Sequence, residues 1–80
     1  MKRVTLYFRP GCIYCGHAER LLAKQGIPSE QMDISSDPAL VEEMVRRSGQ
    51  RSTPQVFIGQ QHIGGYKDLK ALIMDGEFDT

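Results

Sequence analysis

Hydrophobic and polar positions change period several times along the chain, and each change marks an element. Val4, Thr5, Leu6, Tyr7 and Phe8 form a run of β-formers within Arg3 to Phe8, stopped by Pro10-Gly11. That run predicts a buried strand. From Cys12 onward the period becomes helical. Ala18, Leu21 and Leu22 fall at i, i+3 and i+4, with Arg20 and Lys24 facing away. Gly26 ends this helix and Pro28 follows it. Glu30 to Ile34 alternates, with Met32 and Ile34 on one face, as a short strand does. Asp37-Pro38 is a helix start, with Asp as N-cap and Pro at the first helical position. Leu40, Val41, Met44 and Val45 then make an apolar stripe that runs to Gly49.

The second half continues in the same way. Val56-Phe57-Ile58 is a short apolar run, Gly59-Gln60 a turn, and Gln61-His62-Ile63 a returning hairpin strand. Gly64-Gly65 breaks that strand. Leu69, Leu72 and Ile73 mark a final helix that ends near Gly76. The order is β-α-β-α-β-β-α. The β-α-β start implies parallel strands with a right-handed crossover, and the hairpin adds an antiparallel pair. The expected class is α/β: a mixed four-stranded sheet flanked by three helices. Residues 1–80 read as a single domain without repeat, linker or low-complexity segment.

Composition narrows the function. The chain has 80 residues, 40% of them hydrophobic. No apolar run approaches the roughly 20 residues that cross a bilayer, so no membrane association is expected. The first ten residues are too short and too soon interrupted for a signal peptide, which makes the cytoplasm the expected compartment. Ten basic and ten acidic side chains cancel, which argues against nucleic acid as a partner. The balance hides a gradient. Residues 1–26 carry a net +4, residues 27–48 a net −3 and residues 49–80 a net −1.

Both cysteines, Cys12 and Cys15, sit in the positive third. A disulfide-stapled domain of this size carries more of them. A bridge across so small a loop adds only about 2 kcal/mol before strain. These cysteines are therefore read as chemistry. Cys12-Ile13-Tyr14-Cys15 lies at the junction of the first strand and first helix, where a helix N-terminus offers partial positive charge and free N–H groups. That setting favours a thiolate at Cys12, and Arg9 is placed to add to the field. Cys15, one turn further in, can reach back to close a disulfide. Cys12 reads as the attacking thiol and Cys15 as the resolving thiol. Zinc needs four ligands, and Cys12, Cys15, His17 and His62 have no familiar zinc spacing, so no metal is expected. Gly16 separates Cys15 from His17, which excludes c-type haem attachment. His17 and His62 are expected on solvated surfaces, Met32 and Met44 in the core, and Arg46 and Arg47 as charge partners of a helix C-terminus.

Thr53-Pro54 puts a proline before an apolar strand; local sequence alone favours a trans bond. Gly64-Gly65 permits close backbone approach by a ligand at the start of the last helix.

Cys12-Ile13-Tyr14-Cys15, Thr53-Pro54-Gln55-Val56-Phe57-Ile58 and Gly64-Gly65-Tyr66-Lys67-Asp68-Leu69 occur in order and at a spacing that resembles a glutaredoxin over nearly the whole chain. The resemblance implies the thioredoxin-like fold, with a cis proline at Pro54. It implies a glutathione-disulfide oxidoreductase that reduces protein disulfides and glutathione mixed disulfides, with glutathione as co-substrate and no permanent cofactor. By the same resemblance, Cys12 is the nucleophile and Cys15 the resolving thiol. Tyr14 flanks the bound glutathione, and Arg9 meets its glycine carboxylate. The backbone at Thr53, before Pro54, pairs with the glutathione cysteine. Gly65, Tyr66, Lys67 and Asp68 hold the γ-glutamyl end. The expected partners are glutathione and disulfide-bearing proteins, ribonucleotide reductase among the candidates, and the expected state is a monomer.

The chain departs from the family at three places. Ile13 stands where Pro is usual and restores a backbone N–H near the sulfur. Thr53 replaces Val. Lys67 replaces an acid, and it cannot accept from an ammonium group. The resemblance leaves two alternatives: a carrier of a glutathione-ligated [2Fe–2S] cluster, suggested by Ile13, and an electron donor fed by thioredoxin reductase.

Overall fold

Strand β1 (Val4–Phe8) occupies an interior position of a four-stranded sheet ordered β2-β1-β3-β4. The computed structural model describes residues 3–76; the charges counted above at Lys2, Glu77 and Asp79 lie outside them. The remaining elements are α1 (Ile13–Lys24), β2 (Glu30–Asp33), α2 (Pro38–Ser48), β3 (Gln55–Ile58), β4 (Gln61–Gly64) and α3 (Tyr66–Met74). β1 and β2 run parallel, with Thr5 opposite Glu30 and Phe8 opposite Asp33. β3 is antiparallel to β1, with Val4 opposite Ile58 and Tyr7 opposite Gln55. β4 is antiparallel to β3, with an irregularity between Val56 and Phe57.

The pleat of β1 explains its unbroken apolar run. Alternate residues point to opposite faces, and helices cover both faces. Val4, Leu6, Val56 and Ile58 pack with Ala18 and Leu22 of α1 and Leu69 of α3. Tyr7 and Phe57 pack with Ile34 and with Met44 of α2. Met44 is buried and Met32 half-buried against the same cluster, as expected of core methionines.

The helix limits follow their caps. Asp37 accepts from the Ala39 N–H at 3.0 Å, and Pro38 opens α2. Gly49 closes it in the left-handed region, φ 73°, which a Cβ would disfavour. β2 ends one residue earlier than expected. Ile34 lies beyond the paired strand, but its N–H still donates to the Phe8 carbonyl at 3.0 Å.

Arg47 lies with Arg46 in the last turn of α2, as expected, and does more than match the charge of a helix end. Its guanidinium donates to the Tyr7 hydroxyl at 2.7 Å and to the Gly59 carbonyl at 3.3 Å. Its Cζ lies 4.1 Å from the centre of the Phe57 ring. A planar cation with a fork of donors can serve all three partners at once. Arg47 thus ties α2 to β1 and to the β3–β4 turn. Burial raises the pKa of Tyr7, more than the Arg47 contact lowers it, so the phenol stays neutral.

Candidate active site

α1 begins at a residue that is both cap and candidate nucleophile. Cys12 has extended dihedrals, φ −79° and ψ 119°, and its Sγ accepts from the Cys15 N–H at 3.2 Å. An N-cap side chain reaches the N–H groups at the second and third helical positions. Here those belong to Tyr14 and Cys15, and both act on the sulfur. The backbone N–H at hydrogen-bond distance from the sulfur is that of Cys15, not that of Ile13. At the first helical position it lies outside the reach of the cap. Ile13 instead presents its side chain to solvent, 72% exposed.

The segment before β3 supplies the second set of partners. The Thr53-Pro54 peptide is cis, against the preference of local sequence and in line with the family resemblance. The Thr53 carbonyl lies 3.8 Å from Cys12 Sγ, and Thr53 Oγ1 lies 3.6 Å from it. These contacts suit opposite protonation states. A thiol donates to the carbonyl, whereas a thiolate accepts from the hydroxyl.

The two cysteines differ in kind. Both are free; Cys12 is half-buried and Cys15 is buried, at 4% exposure. Burial pushes the Cys12 thiol up, but hydrogen bonds from the Cys15 side chain, Thr53 and the Cys15 and Tyr14 backbone outweigh it. The result is a pKa below the usual thiol value. Burial dominates at Cys15, and donating its proton to Cys12 raises it further. One sulfur is poised to ionise first, and the other keeps its proton until the first is consumed.

Beside the sulfurs lies an open cleft of about 350 Å³, lined by Thr53, Pro54, Tyr14 and Gly65-Tyr66-Lys67-Asp68 among others. Nine of the residues expected from sequence are thereby brought together around one space or one sulfur pair. Gly64 adopts φ +124°, and a Cβ there would collide with the Asp68 carboxylate. Asp68 Oδ2 accepts from the Gly65 N–H at 3.1 Å and so fixes the corner that enters α3. No side chain caps this helix from the N-cap position itself. Arg9 is different. It is exposed and does not line the cleft; its carbonyl accepts from the Cys12 N–H at 3.3 Å.

Sequence reasoning missed the polar floor of the cleft, formed by Gln50, Ser52 and Gln55. It also placed both histidines in solvent. His17 is half-buried, its ring 5.8 Å from Tyr14 and 5.5 Å from Tyr66, with Nδ1 3.1 Å from Arg20. Three rings therefore form one wall, because α1 and α3 lie side by side. His62 is half-buried as well, 4.9 Å from the Phe57 ring and 2.7 Å from Gln55 Oε1. The pairing of His62 with Gln55 was readable only once β3 and β4 were in register.

Among the described residues, no three His, Cys, Asp or Glu side chains gather as metal ligands, and none of the helices is long and apolar enough to cross a membrane. A cluster held here would need donors from outside the chain, since Cys12 is its one accessible thiol.

Comparison with known proteins gives a consistent result. The family profile described as Glutaredoxin matches residues 4–63. A glutaredoxin of Neisseria meningitidis serogroup B is 42% identical over 80 residues, covering 99% of this chain and 94% of that protein. Glutaredoxin 3 of Escherichia coli K12 is 42% identical over 79 residues, covering 99% of this chain and 95% of its own. The solution structure of a Brucella melitensis glutaredoxin is 47% identical, with a TM-score of 0.82 over 96% of this chain and 84% of that one. A crystal structure of a buckwheat glutaredoxin–glutathione complex is 25% identical, with a TM-score of 0.85 over 95% and 72%.

Proposed function

The chain belongs to the glutaredoxin family of thiol–disulfide oxidoreductases, and on that premise we propose that it uses glutathione, with Cys12 as nucleophile and Cys15 as resolving thiol. The observation that carries the assignment of roles is the asymmetry of the sulfurs. Cys12 caps α1 with a lowered pKa, and Cys15 is buried with a raised one.

The chemistry balances as two exchanges. With a glutathione mixed disulfide, the Cys12 thiolate attacks the glutathione sulfur and the substrate thiolate leaves. A glutathione thiolate then attacks the Cys12-bound sulfur, releasing oxidised glutathione and regenerating the Cys12 thiolate. With a protein disulfide, Cys12 forms a mixed disulfide with one substrate sulfur. Cys15, once deprotonated, attacks Cys12 Sγ and frees the second thiol of the substrate. Two glutathiones then reduce the Cys12–Cys15 disulfide. The helix N-terminus stabilises the thiolate as attacker and as leaving group alike.

Glutathione is placed in the cleft on four grounds. Tyr14 and Tyr66 offer flat apolar walls. Thr53 presents backbone before the cis proline, beside Cys12. The entry to α3 has N–H groups without a side-chain cap, suited to the γ-glutamyl carboxylate. Lys67 adds positive charge there, and Asp68 is the acid left for the ammonium, with one oxygen held by Gly65. Arg9 is assigned to the glycine carboxylate on resemblance alone. That a buckwheat glutaredoxin of the same fold forms a complex with glutathione supports the choice of ligand.

The test is a coupled assay run separately with glutathione plus glutathione reductase and with thioredoxin reductase alone as the source of electrons. Turnover of a glutathione mixed disulfide with the first system is expected. Turnover with the second system alone would sink the glutathione reading.

A further inference from the structure

The polar floor of the cleft is built around one side chain. Gln55 is 1% exposed, and its amide is fully used. Nε2 donates to the Ser52 carbonyl at 2.9 Å and to Gln50 Oε1 at 3.0 Å, with Ser52 Oγ at 3.3 Å. Oε1 lies 2.7 Å from His62 Nε2. The Ser52 carbonyl can only accept, which fixes the amide nitrogen on that side and the amide oxygen toward His62. His62 must then carry a proton on Nε2. The chain of donation runs from His62 through Gln55 to the backbone of Ser52, one residue before Thr53.

The placement of each member follows from the fold. Gln55 opens β3 opposite Tyr7, inside the sheet. His62 sits on β4, directly across from Phe57, and its ring packs on that residue. Residues 50–54 belong to no helix or strand. Their hold on the sheet comes largely through this amide. The same segment ends in Thr53, whose hydroxyl and carbonyl face Cys12 Sγ.

We propose that His62 and Gln55 form a positioning relay for the reaction: His62 orients the Gln55 amide, the amide holds residues 50–52, and that segment sets Thr53 against Cys12 and the substrate. Neither residue touches the sulfurs, so neither is catalytic. For the substrate side, the inference rests on the proposed role of Thr53-Pro54 in binding glutathione. For the sulfur side it stands on the Thr53–Cys12 contact alone.

Three substitutions separate the roles. His62→Phe keeps a ring against Phe57 and removes the donor. His62→Gln keeps a donor for Gln55. Gln55→Glu keeps the acceptor for His62 and removes both donations to the loop. Each is measured in three ways: melting temperature, kcat and KM for the mixed disulfide of glutathione and cysteine, and alkylation of Cys12 by iodoacetamide against pH in a Cys15→Ser background. His62→Phe and Gln55→Glu are expected to raise KM about fivefold or more, the size of one buried hydrogen bond lost. They are also expected to move the Cys12 alkylation midpoint upward, and His62→Gln to restore both. Unchanged KM and midpoint in His62→Phe, whatever its melting temperature, would overturn the relay. So would failure of His62→Gln to rescue. If the parent protein turns over no glutathione mixed disulfide, the glutathione reading fails, and the alkylation midpoint alone still decides the relay.

Discussion

Two helices of this protein start in the same way and do different things. At α2, Asp37 has extended dihedrals and accepts from the Ala39 N–H at 3.0 Å. At α1, Cys12 has extended dihedrals and accepts from the Cys15 N–H at 3.2 Å. In each case a side chain satisfies an N–H group that the helix cannot satisfy itself. Asp37 is exposed and takes no part in the chemistry of the cleft, so its cap yields stability. A thiol is ordinarily neutral. The same geometry at Cys12 therefore spends its interaction energy on ionising the sulfur, and the product is a reactive group. One device of backbone physics gives structure at α2 and chemistry at α1, and the difference lies in the capping atom, a carboxylate oxygen in one and a nucleophilic sulfur in the other.

Four substitutions test that contrast, in descending order of effect. Cys12→Ser keeps a competent cap, because serine is a good N-cap residue, but loses the nucleophile. Turnover is expected to fall by more than about a thousandfold while the melting curve stays close to that of the parent. Paired activity and calorimetric measurements check this; retained activity would break the contrast outright. Cys15→Ser leaves the cap and removes the resolving thiol. Reduction of a protein disulfide is expected to fall at least about tenfold, with reduction of a glutathione mixed disulfide spared. Steady-state rates on the two substrates in parallel decide it.

Thr53→Val removes the hydroxyl that serves the thiolate and keeps the β-branched shape. The Cys12 alkylation midpoint is expected to rise, and the rate at neutral pH to drop a few-fold, as for loss of one hydrogen bond to a charged group worth about 1.5–3 kcal/mol in full. An unmoved midpoint would remove Thr53 from the account. Asp37→Ala is the mirror experiment. It is expected to cost about 1 kcal/mol of stability by denaturant titration, with kcat/KM unchanged. A change in kcat/KM would show that the two helix starts are not independent.

The pH dependence of stability follows from the same asymmetry. Cys12 has a lowered pKa in the folded state, so its contribution is present above the unfolded value and is lost as pH falls through the folded one. Cys15 has a raised pKa, so its contribution is present below the unfolded value and is lost as pH rises through the folded one. The two oppose each other in the alkaline range, which makes overall stability a poor reporter on either sulfur.

The order of elements and the place of the cysteines were legible because both rest on local rules. Hydrophobic period separates strand from helix, and the N-cap rule marks Asp37 and Cys12 from neighbouring residues alone. What stayed hidden depends on contacts between distant segments. Arg47 meets Tyr7 across 40 positions of chain, Thr53 meets Cys12 across 41, and His62 meets Gln55 only through the β3–β4 register. The sequence marks such residues by type and not by partner. His17 is half-buried beside the Tyr66 ring of α3, which no local pattern brings to it.

The central claim is that Cys12 is a helix cap whose thiol ionises more readily than an ordinary one. Its most direct measurement is the alkylation rate of Cys12 by iodoacetamide against pH, in a Cys15→Ser background where a single thiol reports. The account requires a midpoint below 9.0, the value of an ordinary thiol. A midpoint at or above that value would mean that burial wins at Cys12 as it does at Cys15, and that the helix start does no chemistry.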